Sequence, residues 1–184
     1  VSASRSDRLC YRIVSYRAMR ARAKPRHNFS VKRMIDAMRT YDLDMASSAI
    51  QKFNSFVSPT LQPSLHCAAR KVSFVDPLLL LFNRKAWRCW QKEINTTINR
   101  MGWGYAITFG SRCNASVGVI DTEVAVHANR PRLYSTTSSM EQMRMWFDHV
   151  GRPLLPGHTR RQMQRKFKHA LRPLHCWKIG SKTP

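Results

Sequence analysis

The chain has 184 residues and a formal net charge of +22, from 32 Lys+Arg against 10 Asp+Glu. Its 43% hydrophobic content suffices for one modest core. No apolar run approaches the roughly 18–20 residues of a membrane helix, so no integral membrane span is expected.

A free chain so charged repels itself and binds polyanions, which points to a dense anionic partner, nucleic acid foremost. The charge is concentrated. Residues 1–40 hold eleven basic and two acidic side chains, and residues 151–184 hold nine basic and no acidic ones. A further band at 81–100 holds five basic and one acidic, while 41–80 and 101–150 are each neutral.

Residues 1–29 read as a basic arm, with a helix over Leu9–Arg22 ended at Lys24-Pro25-Arg26. The arm is rich in Arg, Ser and Ala and poor in acids, the composition of a mitochondrial targeting region. Ser30 is an N-cap for a second helix with the stripe Val31, Met34, Ile35, Met38 and Tyr41. Asp44 is placed to cap a third, striped by Met45, Ala49, Ile50, Phe53 and Val57, giving a helical hairpin. No second copy at a fixed period supports a repeat array.

Residues 58–75 read as a connector. Asp76-Pro77 is a helix start, and Leu80, Trp87, Trp90, Ile94, Ile98 and Met101 carry a long helix to Gly102. Its other face holds Arg84, Lys85, Arg88, Lys92 and Arg100, with Trp87 and Trp90 assigned to the core. Beyond Gly102 the pattern alternates. Tyr105–Phe109, Ser116–Ile120 and Thr122–His127 read as strands, with Arg132–Ser135 a possible fourth. Ser138 and Glu141 make a capping box before a helix lined by Met140, Met143, Trp146, Phe147 and Val150, stopped at Gly151. Thr159 caps a final basic helix, Arg160 to Leu171, ended by Pro173 and followed by a short polar tail.

The expected fold is therefore α+β: a small, mostly helical domain with a short antiparallel sheet, plus a basic N-terminal arm and a basic C-terminal helix. The divisions are 1–29 for the arm, 30–150 for the body with its sheet at about 104–135, and 151–184 for the C-terminal extension.

Five cysteines, an odd number without a Cys-x-x-Cys pair, predict a reducing compartment rather than a disulfide framework. Sequons at Asn28, Asn95 and Asn114 are short enough to arise by chance. Two Leu-His-Cys triplets, at His66-Cys67 and His175-Cys176, could supply four zinc-type ligands, but adjacent ligands lack the usual zinc spacing. Asp121, Glu123 and His127 share one strand face, where a solvated surface is the cheaper explanation than metal or acid–base chemistry. Gly102-Trp103-Gly104 lacks the rest of a phosphate loop. No catalytic residue, metal or cofactor is assigned.

The residues expected to contact RNA are Arg5, Arg8, Arg12, Arg17, Arg20, Arg22, Lys24 and Arg26 in the arm. Arg84, Lys85 and Arg88 represent the band, and Arg160, Arg161, Arg165, Lys166, Lys168, Arg172 and Lys178 the C-terminal end. Tyr11, Tyr16, His27, His175 and Trp177 lie among them and could stack on bases or dock on a protein.

The function this predicts is a structural, non-enzymatic subunit of a ribosome in the mitochondrial matrix. It would bind ribosomal RNA and neighbouring ribosomal proteins, with no small-molecule substrate. Contact with roughly 8 phosphates would give an affinity exponent in salt of about −6 to −7. The alternatives are an accessory subunit of a mitochondrial inner-membrane respiratory or ATP synthase complex, and an RNA-processing factor.

Overall fold

The structure, a computed structural model, describes residues 12–15, 29–53, 59–75, 77, 79–100, 102, 104–128, 136–151 and 174–180. It is α+β and is built around a mixed sheet rather than a helical domain with a small sheet attached. In chain order the elements are β1 (Arg12–Ser15), α1 (Val31–Thr40), β2 (Met45–Phe53), β3 (Cys67–Lys71), β4 (Leu79–Phe82), α2 (Arg84–Glu93), α3 (Tyr105–Arg112), β5 (Val117–Ala128), α4 (Thr136–His149) and β6 (His175–Lys178). The sheet order is β1-β4-β2-β5-β3-β6. The β2–β5 pair is parallel and the other pairs are antiparallel, so the expected all-antiparallel sheet is corrected to a mixed one.

The first and last described strands are the two edges of this sheet. Arg12–Ser15, expected in a helix of a free arm, pairs with β4 as one edge strand. His175–Lys178, expected as a polar tail, pairs with β3 as the other edge. At those residues the picture of basic extensions reaching away from the body is corrected. The remainder of the Leu9–Arg22 helix, the strand at Arg132–Ser135 and the helix Arg160–Leu171 lie outside the described residues.

α1 forms as its sequence dictates. The Ser30 side chain accepts from the Arg33 N–H at 3.3 Å, and Met34 and Met38, one turn apart, are both buried. The helix ends at Tyr41, and Asp42 takes a left-handed turn at φ 48°. α4 likewise buries Met143, Trp146 and Phe147, starting at Thr136 rather than Ser138.

The next two elements differ from expectation for one physical reason. Met45–Phe53 is a strand, not a helix capped by Asp44. Residues 45–50 are buried without interruption, because this central strand is covered on both faces. Such a strand shows no alternation, and its small and apolar residues mimic a helical stripe. Leu79–Phe82 is a strand for the same reason, so the long helix from Asp76 is corrected to β4 followed by the ten-residue α2.

The reverse correction applies at Tyr105–Phe109, which opens helix α3. Tyr105 and Phe109 lie one turn apart on its buried face. Gly104 begins it at φ 99°, and a Cβ there would meet Trp146 Cδ1 at 2.9 Å, so α4 packs close because the position is Gly.

The two strands read at 116–127 are one long strand, β5. Its register with β2 jumps from Ser48–Ile120 to Ala49–Val124, leaving residues 121–123 in a bulge. Gly118 permits close approach of the turn after α1, since a Cβ there would lie 2.5 Å from Leu43 Cδ1.

The core has two sides. Met34 and Met38 of α1 pack with Leu43, Ala46, Leu81 and Ile120 on one face of the sheet. Ala86 and Trp90 of α2, Tyr105 and Phe109 of α3, and Trp146 of α4 pack with Met45, Phe82, Val117 and Val119 on the other. Neighbours such as Leu81 and Phe82, or Val119 and Ile120, point to opposite faces, as a pleated strand requires. Among the described residues no helix is long and apolar enough to cross a membrane.

Tyr105 ties α3 to the segment after α2. Its hydroxyl accepts from Asn95 N–H at 2.8 Å and lies 2.8 Å from the Asn95 carbonyl and 3.1 Å from that of Asn99. Burial raises its phenol above the ordinary value of 10.0, and the hydrogen bond to the Asn95 backbone opposes this. A raised folded value means that the folded state holds this proton more tightly. Its contribution is complete below pH 10.0 and is lost as pH rises toward the folded value. Tyr105→Phe should cost about 1–2 kcal/mol at neutral pH and flatten the alkaline limb of stability against pH. Urea melts at a series of alkaline pH values check this, and parallel curves for the two proteins would refute it.

Candidate polyanion-binding face

The start of α2 is fixed by a carboxylate. Asn83 is the N-cap, its Oδ1 accepting from Ala86 N–H at 2.8 Å. Its Nδ2 donates to Asp44 Oδ1 at 2.6 Å, and its N–H donates to the Asp44 carbonyl at 2.9 Å. The other Asp44 oxygen accepts from Ser116 N–H at 2.8 Å, so one side chain at the entry to β2 ties α2 to the entry of β5.

Three further contacts set the rotation of α2 about its axis. Trp90 is buried against Phe82 and Phe109, with ring centroids at 5.2 Å in both cases. Cys89 is disulfide-bonded to Cys113, which caps α3. Glu93 pairs with Arg112 of α3, and this pair raises the Arg112 value. The assignment of Trp90 to the core holds, and Trp87 packs partly against the same cluster.

With those positions turned inward, Arg84, Lys85, Arg88 and Lys92 all face outward and are exposed. At 3.6 residues per turn they fall within an arc of about 100°. The ion pairs among the described residues occupy Lys32, Arg33, Arg39, Arg70 and Arg112, and none involves these four. Asp36, paired with Lys32 and near Arg39, is held below the usual carboxylate value chiefly by the Lys32 hydrogen bond.

This arrangement works against the helix. Arg84 and Lys85 occupy the first turn, which contains no acidic residue. A cation there opposes the helix dipole by about 0.3–1 kcal/mol. The like-charge pairs Arg84–Arg88 and Arg88–Lys92, each one turn apart, add a few tenths of a kcal/mol apiece. An anion lying along the arc would reverse both terms.

Of the residues expected to contact RNA, the structure therefore brings Arg84, Lys85 and Arg88 together and adds Lys92. That residue was legible on the same sequence face. Arg100, assigned to the same long helix, lies beyond the end of α2, and its N–H donates to Gln142 Oε1 of α4 at 2.8 Å. Arg12 lies in β1, and Lys178 is exposed on β6 at the far edge of the sheet. The other expected contacts, Arg5 to Arg8, Arg17 to Arg26 and Arg160 to Arg172, lie outside the described residues, as do Tyr11, Tyr16 and His27. Trp177 does not present a free ring: it stacks on Tyr41 at 4.9 Å, with His175 edge-on at 4.9 Å.

The acid-bearing strand face is also engaged. Asp121 is buried and accepts twice from Arg70, each at 2.8 Å, and from Ser64 N–H at 2.9 Å. Glu123 is buried, pairs with the Arg33 guanidinium and accepts from Ser30 N–H at 2.7 Å. Both carboxylates are neutralised within the fold. Among the described residues no group of three or more His, Cys, Asp or Glu side chains is placed to hold a metal ion.

The two Leu-His-Cys triplets do meet, but as a disulfide, Cys67–Cys176. With Cys89–Cys113 this pairs four of the five cysteines. The expectation of unpaired thiols is corrected. The partners are 109 and 24 residues apart, so neither bond is signalled by local spacing. Cys10 lies outside the described residues.

No curated protein and no solved structure matches the chain. Residues 62–163 match a family model, a stretch that runs from the residue before Pro63 past α4 and contains α2 with its basic arc. That match covers more than half of the sequence, and the chain belongs to the family described as "Protein of unknown function (DUF707)".

Proposed function

We propose that this chain is a polyanion-binding protein, not an enzyme, and that it grips its partner through the outward arc of α2. The observation that carries the reading is the grouping of Arg84, Lys85, Arg88 and Lys92, exposed and without an ion pair among the described residues. Arg84 and Lys85 sit in the first turn of the helix, which disfavours them. The net charge of +22 supports the same reading, since most of it lies outside the described residues and would reinforce a polyanion contact.

Composition leads to ribosomal RNA in a mitochondrial ribosome as the polyanion. The two disulfides favour a second reading: an oxidising compartment, because such bonds are rare where thiols are kept reduced. The polyanion there would be a sulfated or phosphorylated polymer rather than matrix RNA. Sedimentation of native extract with and without RNase separates the two. Release from a large particle by RNase supports the ribosomal version, and RNase-insensitive migration removes it.

The binding face has its own test. Replacing Arg84, Lys85, Arg88 and Lys92 together by Gln should lower the slope of log K against log salt by about 3, at about 0.7–0.9 per lost contact. Binding to a defined single-stranded RNA and to a sulfated polysaccharide, each across a salt series, measures it. These are exposed positions whose charges oppose the helix, so stability should stay the same or rise, by no more than about 1 kcal/mol per site. An unchanged slope in a folded variant would remove α2 from the interface.

A further inference from the structure

We propose that Asn114 carries an asparagine-linked oligosaccharide, an inference that rests on the oxidising-compartment reading above. Asn114-Ala115-Ser116 is a sequon, and sequons are used on exposed turns of chains that enter such a compartment. The structure supplies that turn. α3 ends at Cys113, and Ala115 N–H reaches back to the Gly110 carbonyl at 2.9 Å, the hydrogen bond of a Schellman cap. Asn114 is the left-handed residue of that cap, at φ 45°, and is exposed. Its side chain makes no hydrogen bond to another described residue, so no described residue competes for its amide.

The other sequons differ. Asn95 is half-buried, and its Oδ1 accepts from Thr97 N–H at 3.1 Å and Ile98 N–H at 3.3 Å while its backbone is clasped by Tyr105. Asn28 lies outside the described residues. The residue before Asn114 is Cys113, disulfide-bonded to Cys89, so the sequon adjoins a bond that itself requires oxidising conditions.

The co-reactant is a polyprenyl-pyrophosphate-linked oligosaccharide. The Asn114 Nδ2 attacks the anomeric carbon and loses one amide proton to solvent. A C–N bond forms, the C–O bond to phosphate breaks, and the lipid pyrophosphate leaves with the bonding pair. No oxidation or reduction accompanies the transfer.

Ser116 offers a clean variant. The fold uses its backbone, whose N–H donates to Asp44 Oδ2 and whose carbonyl accepts from Asp44 and Met45. Ser116→Ala therefore removes the sequon and keeps those contacts, and Ser116→Thr keeps both. The experiment is a peptide map of the protein isolated from its own cells, with and without an amidase that cleaves asparagine-linked glycans, run in parallel under non-reducing conditions. The expected result is that amidase converts Asn114 to Asp, that Ser116→Ala abolishes this and that Ser116→Thr retains it. Closed disulfides with an unmodified Asn114 would overturn this inference and leave the compartment reading standing. Free thiols at Cys67 and Cys176 would overturn both.

Discussion

Asp121→Asn should destabilise the protein by about 3–5 kcal/mol, and Arg70→Met by a similar amount. The Arg70 and Asp121 side chains are 7% and 0% exposed. Desolvating two charges is tolerable here because the pair is bidentate and each partner takes a further hydrogen bond. Arg70 gives two to the carboxylate and one to the Gln62 carbonyl at 2.7 Å, and the carboxylate takes one from Ser64 N–H. Removing either partner strands the other charge in a buried site. The loss would be a large part of a total stability that for such a domain is typically about 5–15 kcal/mol. Replacing both residues together by apolar ones of similar size should cost much less than the two single losses combined. Urea unfolding of the two single variants and the double variant checks this. Single losses below about 1 kcal/mol, or strict additivity, would refute the coupling.

That pair also shows what the bulge in β5 is for. Residues 121–123 leave the ladder with β2 at the point where the sequence alternation breaks. The break was legible, but a gap between two strands and a bulge within one strand leave the same trace in a single sequence. Only the β2 register distinguishes them. The bulge lets Asp121 reach the segment from Gln62 to Ser64 on one side, while Glu123 reaches the start of α1 on the other. An acidic face that could suggest chemistry is thus a pair of internal anchors.

Legibility followed exposure. α1 and α4 have one wet and one dry face, so their stripes and caps could be read directly. β2 and β4 are dry on both faces and carry no period, and short runs such as Met45–Ile50 and Leu79–Phe82 fit either element. The α2 arc was readable despite a wrong helix start, because residues 84, 88 and 92 keep their spacing wherever the helix begins. What could not be read was its cost. The charge–dipole conflict exists only because the helix starts at Arg84 rather than at Asp76, which would have put both cations in mid-helix. The disulfides were illegible for a different reason, since they follow from which strands become neighbours and not from any local spacing.

Removing the Cys67–Cys176 bond should cost about 2–5 kcal/mol, more than removing Cys89–Cys113. The first closes a loop of 109 residues and the second one of 24, and loop entropy alone makes the longer bond worth about 1 kcal/mol more. The loss should also be unevenly distributed. β6 is a four-residue edge strand, flanked by Leu174 at 66% and Ile179 at 62% exposure. It holds to the sheet by its ladder with β3, by the disulfide and by Trp177 on Tyr41. With the bond cut, β6 should open locally before the core yields, and amide exchange should accelerate at residues 175–178 and at Leu174, whose N–H donates to Lys71 at 2.8 Å. The β2–β5 pair at the centre should stay protected, because neither strand carries a cysteine of the bond. Cys67→Ser with Cys176→Ser, followed by exchange and by thermal melting, tests this, with reduced wild-type protein as the second measurement. Unchanged protection at 175–178 would show that side-chain packing holds the edge by itself, and the bond would then add little to the fold.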